Sequence, residues 1–192
     1  CTLKHWPTPT YSGSWSIGSE KWALRPGHAW HGIDKIITFA KNTPDIEVEI
    51  VGYESLPDHP HLPKNLTLHG YLPKEKYLSL FSKADVAISS LAMHRVGLAE
   101  ASPLKSREYL AHGLPMILAY KDTDLEQLDT NYLLSIPNTK DNILTHGKLI
   151  RNFAYEMRGK RVNREEIAPY IDTHIKEKKR LDFFKEIIEQ AK

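Results

Sequence analysis

Short apolar runs alternating with segments of helical period constrain this chain most, because that alternation is the pattern of a parallel α/β sheet. Ile33, Ile36, Ile37 and Ala40 recur at helical spacing and predict a helix with one buried face. Val48, Ile50 and Val51 predict a strand that stops at Gly52; Leu66 and Leu68 predict another that ends at Gly70. After Pro73, the residues Tyr77, Leu78, Leu80 and Phe81 read as a helix, followed by a buried strand from Val86 to Ser89. Lys21 to Leu24 supply a first strand, and Met116 to Tyr120 and Leu133 to Ile136 two further ones. Ile143, Gly147, Ile150, Ala154 and Met157 share one face of a long helix, as Leu181, Phe184, Ile188 and Ala191 do at the end of the chain. Roughly six strands and as many helices predict one doubly wound, Rossmann-like parallel sheet domain over residues 20–192.

A chain of 192 residues is long enough for one large domain with a proper core. Its 26 Lys and Arg nearly balance 24 Asp and Glu, which gives no electrostatic reason to expect nucleic acid as a partner. The single cysteine, Cys1, rules out an intramolecular disulfide and fits a reducing compartment. No apolar stretch approaches the ~18 residues of a membrane span, and no signal peptide is evident. These features together predict a cytoplasmic location. A first residue other than Met predicts a piece of something longer, with a lipid-anchored mature N-terminus as the alternative. Residues 1–19, rich in Thr, Ser, Pro and Trp without a period, read as a linker or the end of a preceding domain.

Ligands of such sheets bind beyond the carboxyl ends of the strands. The loops after Leu24, Gly52, Gly70, Ser89 and Tyr120 are therefore expected around the site. The segment EASPLKSREYLAHGLP, Glu100 to Pro115, falls on that same edge. Glu108 lies inside a predicted helix that stops at His112, Gly113 and Pro115, and Glu100 lies just before it. Ser102, Pro103, Leu104 and Lys105 form the helix start, whose unpaired N–H groups and positive dipole end suit a phosphate. Two carboxylates beside a phosphate suit the hydroxyls of a sugar and a ribose, which points to a nucleotide-sugar. The plainer reading makes Glu108 a solvated helix residue paired with Lys105 or His112, worth about 0.3 kcal/mol.

This segment resembles the C-terminal nucleotide-binding domain of GT-B fold glycosyltransferases, in particular the large retaining family numbered four. Members carry two glutamates with seven residues between them, then a short helix, a Gly and a Pro, as Glu100, Glu108, Gly113 and Pro115 stand here. PLKSREYLAHGLP is similar to the version in bacterial capsule and lipopolysaccharide enzymes. WHGIDKII (Trp30 to Ile37) is similar to the family's first glycine-containing loop and helix. NLTLHGYLP (Asn65 to Pro73) and KADVAISS (Lys83 to Ser90) follow in the family's order. The resemblance spans residues 22–192.

The resemblance implies that Glu100 contacts the donor sugar hydroxyls and Glu108 the ribose hydroxyls. It implies that the N–H groups of Leu104 and Lys105, with Ser102 and Pro103 around them, hold the diphosphate. Tyr71 and Leu72 would lie by the base, and the Lys105 cation would neutralise the leaving diphosphate. Two positions depart from the family pattern: Pro103 often is a Gly, and His31, before Gly32, often is a Lys. His31 offers a phosphate donor that is only partly charged near neutral pH, and Arg25 stands for a frequent upstream Arg.

Other motifs carry less. Asp58-His59-Pro60-His61 lacks a third and fourth metal ligand and reads as a surface loop. His94 and Arg95 either face the cleft or belong to a plain loop, and Trp30 is a packing anchor rather than a stacking platform. The basic run Lys176, Lys178, Lys179 and Arg180 reads as the solvated face of the last helix, with an anionic membrane surface as the alternative partner. No GxGxxG follows a strand, which argues against a nicotinamide or flavin site.

The resemblance implies transfer of a sugar from a nucleoside diphosphate to an acceptor hydroxyl, with retention, in bacterial surface-polysaccharide or lipopolysaccharide synthesis. It implies no metal and no cofactor beyond the nucleotide-sugar donor. An N-terminal domain, absent from this chain, would bind the sugar or lipid-linked acceptor and cover apolar residues such as Phe183 and Phe184. Two rivals are a GT-B fold nucleotide-sugar epimerase, which needs an acid/base pair in the cleft, and a noncatalytic nucleotide-sugar-binding or interaction module.

Overall fold

A computed structural model describes residues 26–190, with side-chain surroundings from residue 29 onward. The expected strand Lys21–Leu24, Arg25 and Ala191 lie outside the described residues.

The described strands are short and all pair in parallel. Val48–Ile50 (β1) pairs with Leu66–Leu68 (β2), Val48 opposite Leu66. Ala87–Ile88 (β3), Met116–Leu118 (β5) and Leu133–Ser135 (β7) form a second sheet in the order β3-β5-β7. Glu100–Ala101 (β4) and Lys121–Asp122 (β6) make a third, two-residue ladder. The one sheet expected from the sequence is thus described as three small ones. The class, mixed α/β with parallel strands, is as expected.

The helices carry the expected apolar periods. Ile33–Asn42 (α1), Lys74–Lys83 (α2), Leu104–Ala111 (α3) and Asn142–Glu156 (α4) fall where the spacing predicts them. Arg164–Ile171 (α5) was not legible, since it opens on charges and holds Pro169 inside. Its Asn163 side chain caps it by accepting from the Glu165 N–H.

β5 organises the packing. Ile117 and Ala119 face a core built from α1 (Ile36, Ile37, Phe39, Ala40), β1, β2 and α4 (Ile143, Ile150, Phe153). Met116, Leu118 and Tyr120 face a second core with Leu110 of α3 and Ile167 of α5. Alternate residues buried on both sides explain the near-continuous apolar run MILAY, because a parallel strand with helices on both faces has no polar side. Trp30 packs against the second core, the anchoring role expected of it.

Thr173–Gln190 (α6) leaves its apolar residues exposed, as expected of Phe183 and Phe184. None of its residues is buried, and Leu181, Phe183, Phe184, Ile187 and Ile188 are each at least 48% exposed. Its apolar face exists in the sequence but meets no partner among the described residues. No helix among the described residues is long and apolar enough to cross a membrane.

Candidate functional site

Two segments meet at the centre of the expected site. The first is the turn ending at Gly32, which has φ +73° and caps the start of α1. A Cβ there would stand 3.2 Å from the Leu91 Cβ and 3.3 Å from the Ala92 Cβ, so only glycine fits both the dihedral and the space. The close approach lets the Leu91 and Ala92 N–H groups donate to the His31 and Trp30 carbonyls, tying this turn to the end of β3. The second segment is the start of α3. Pro103 is its N-cap in an extended conformation, and no side chain caps the helix. The N–H groups of Leu104 and Lys105 therefore have no intrahelical partner and sit at the positive dipole end.

Lys105 and His31 join these segments: Lys105 Nζ lies 3.0 Å from His31 Nδ1. Burial pulls the Lys105 ammonium down to about 8. Lys105 thus turns to His31 rather than to Glu108, and the local helix pair of the plainer reading is not formed. Glu108 Oε1 instead accepts from the Tyr77 hydroxyl at 2.9 Å, across from α2. Tyr71 is 74% exposed in the loop after β2. Sequence reasoning read Tyr77 only as part of an apolar helix face; its partner is too far along the chain to leave a local signal.

The start of α3 is anchored from below. Ser89, Ser106 and Tyr120 form a buried triangle of hydroxyls, with oxygens 2.8 to 2.9 Å apart. Each hydroxyl both donates and accepts in such a ring, so the ends of β3 and β5 are fastened to the first turn of α3 with no orphan group.

An ionic network holds the flank. Arg107 donates in a bidentate pair to Asp122 and reaches Asp124, with Asp122 almost wholly buried. Asp124 also accepts from Lys176 of α6 at 2.6 Å and from the Ser102 hydroxyl. Burial alone would raise the Asp124 carboxyl, but bonds from Lys176, Ser102 and Arg107 outweigh it and hold the group well below the usual carboxylate range. One expectation changes here: Lys176, read as solvated, is an ion-pair partner. The Ser102 hydroxyl is committed to the Asp124 carboxylate.

Glu100 sits in β4 opposite Lys121, whose ammonium bridges it at 3.1 Å and Glu126 at 3.0 Å. It is half exposed and open to solvent. The neighbouring elements are structural: Arg95 makes a bidentate pair with Asp34 and also donates to the Ala29 carbonyl, and His94 bonds Asn138. His94 and Arg95 brace the loop rather than the cleft. No group of three His, Cys, Asp or Glu able to hold a metal occurs among the described residues. A separate cavity of about 370 Å³, lined by Phe81, His112, Arg161 and Arg164, opens at the opposite end of α3 and takes in none of the expected site residues.

Comparison of the chain with protein-family models and with curated protein sequences finds no match.

Proposed function

We propose that this chain is the donor-binding part of a retaining GT-B fold glycosyltransferase, moving a sugar from a nucleoside diphosphate to an acceptor hydroxyl. The observation that carries this reading is the Lys105–His31 contact, which brings the glycine turn and the uncapped α3 start together. A nucleoside diphosphate needs such a place: free N–H groups and cations for the phosphates, and a carboxylate a helix turn away for ribose. Leu104 and Lys105 N–H, Lys105 Nζ and His31 supply the first. Glu108 supplies the second, and Tyr71 and Leu72 flank the base.

The parallel pairing within β1-β2 and within β3-β5-β7 is compatible with a doubly wound sheet. The uncovered apolar face of α6 supports a further domain packed on it. On the resemblance, Glu100 would contact the sugar hydroxyls, with the helix dipole and Lys105 at the leaving diphosphate. The surface-polysaccharide setting and a lipid-linked acceptor rest on the resemblance of the Pro103–Pro115 segment.

Titration calorimetry with UDP, GDP and ADP tests this reading. One of them is expected to bind, and Glu108→Ala is expected to weaken it about 10-fold or more by removing charged hydrogen bonds to ribose. Binding by none, with the protein folded, contradicts it. In the complete enzyme, Glu100→Ala is expected to lower turnover about 100-fold while changing diphosphate affinity less than about 3-fold.

A further inference from the structure

We infer that Tyr77 is a positioning residue that sets the Glu108 carboxylate to receive two adjacent hydroxyls, so that the site selects ribonucleotides over 2′-deoxyribonucleotides. The inference rests on the nucleotide reading above and adds to it a residue and a specificity.

The geometry is specific. Tyr77 comes from α2 and Glu108 from α3, and their 2.9 Å bond is the polar link between the two helices at this point. The phenol ring is held by aromatic packing: Phe81 lies 5.5 Å from Tyr77 and 5.4 Å from Tyr109, the latter edge-on. The ring is therefore placed by contacts that do not involve its hydroxyl. Burial first, then the bond to Glu108, push the phenol up to about 12, so it remains a proton donor through the whole working range of pH.

An ionised carboxylate has about four acceptor positions on its two oxygens. Tyr77 occupies one on Oε1. That fixes the rotation of the group and leaves the second position of Oε1 and both of Oε2 for a ligand. A vicinal diol fills both oxygens. A single hydroxyl leaves one oxygen desolvated and unpaired, which is how a site built for hydrogen bonds rejects an analogue lacking one. Without the phenol the carboxylate turns freely, and the penalty for the missing hydroxyl falls.

The test is Tyr77→Phe, which keeps the ring packing and removes one oxygen. Affinities of UDP, GDP and ADP and of dUDP, dGDP and dADP are measured for wild type, Tyr77→Phe and Glu108→Gln. Wild type is expected to prefer the ribo form by about 10-fold or more. Tyr77→Phe is expected to weaken the ribo form by about 3- to 10-fold, to change the deoxy form by less than about 2-fold, and so to compress the preference. If Glu108→Gln erases the preference but Tyr77→Phe leaves it intact, or weakens both forms equally, the role of Tyr77 is overturned while the nucleotide reading stands. If wild type binds no diphosphate, both fall together.

Discussion

Lys105 Nζ and His31 Nδ1 lie 3.0 Å apart, joining the first turn of α3 to the turn that ends at Gly32. Burial and the positive end of the α3 dipole both disfavour the Lys105 cation.

A stability profile follows from the burial of Lys105. The folded Lys105 titrates near 8 against an unfolded value of 10.5, so the unfolded chain binds more protons between those two pH values. Stability should rise with pH across that window, because deprotonation relieves the buried charge; below about 8 the full cost is present. Lys105→Met should flatten this rise and stabilise the protein at pH 7 by an amount on the order of 2 kcal/mol after solvent screening. Denaturant unfolding at pH 7, 8, 9 and 10 checks it. The same variant should lose diphosphate binding, since stability here opposes function.

Asp124 makes stability rise with pH as well, but in the acid range and because its charged form is the stabilised one. Its carboxyl is held low by Lys176, Ser102 and Arg107, so its contribution is complete above the unfolded value near 4 and disappears as pH falls through the lower folded value. Asp124→Asn should cost about 2 to 3 kcal/mol at pH 7 by leaving Arg107 and Lys176 underpaired. The variant's acid limb below pH 4 should be shallower than that of wild type. Loosening of α6, read as faster amide exchange over Thr173–Gln190, should accompany it, because Lys176 anchors that helix.

Lys35 is a buried cation without a carboxylate. Its Nζ, on a residue 5% exposed, donates to the Leu91 and Thr139 carbonyls and to Asn142 Oδ1. It ties α1 to the ends of β3 and α4, which frame the Gly32 turn. Lys35→Met should destabilise by about 2 to 4 kcal/mol: Thr139 and Asn142 lose a partner, while Leu91 keeps the Asn142 amide. Chemical unfolding of the variant at neutral pH measures this.

What the sequence made legible was local. Ile33 to Ala40, Tyr77 to Phe81 and Ile143 to Met157 announce their helices by period, and Gly113 with Pro115 announces the end of α3. The Glu100–Glu108 segment marked the place where α3 and the glycine turn come together. What was hidden depends on distant pairing. Tyr77 with Glu108, Arg107 with Asp122 and Asp124, and Lys176 with Asp124 join residues from separate elements, and no periodicity records them. β4 and β6 are two residues each, too short for alternation, and the Glu100–Lys121 pair across them joins residues distant in sequence. The last helix was legible as amphipathic, but period alone does not say whether a partner covers the apolar face.

The most direct test is to follow backbone amide resonances of the whole protein as the tightest-binding nucleoside diphosphate is added. The account predicts the largest shifts at Gly32, Leu104 and Lys105, with Tyr71 and Glu108 next, and their loss in Lys105→Met. Shifts centred instead on α6, or on the cavity beside Arg161 and Arg164, would contradict it.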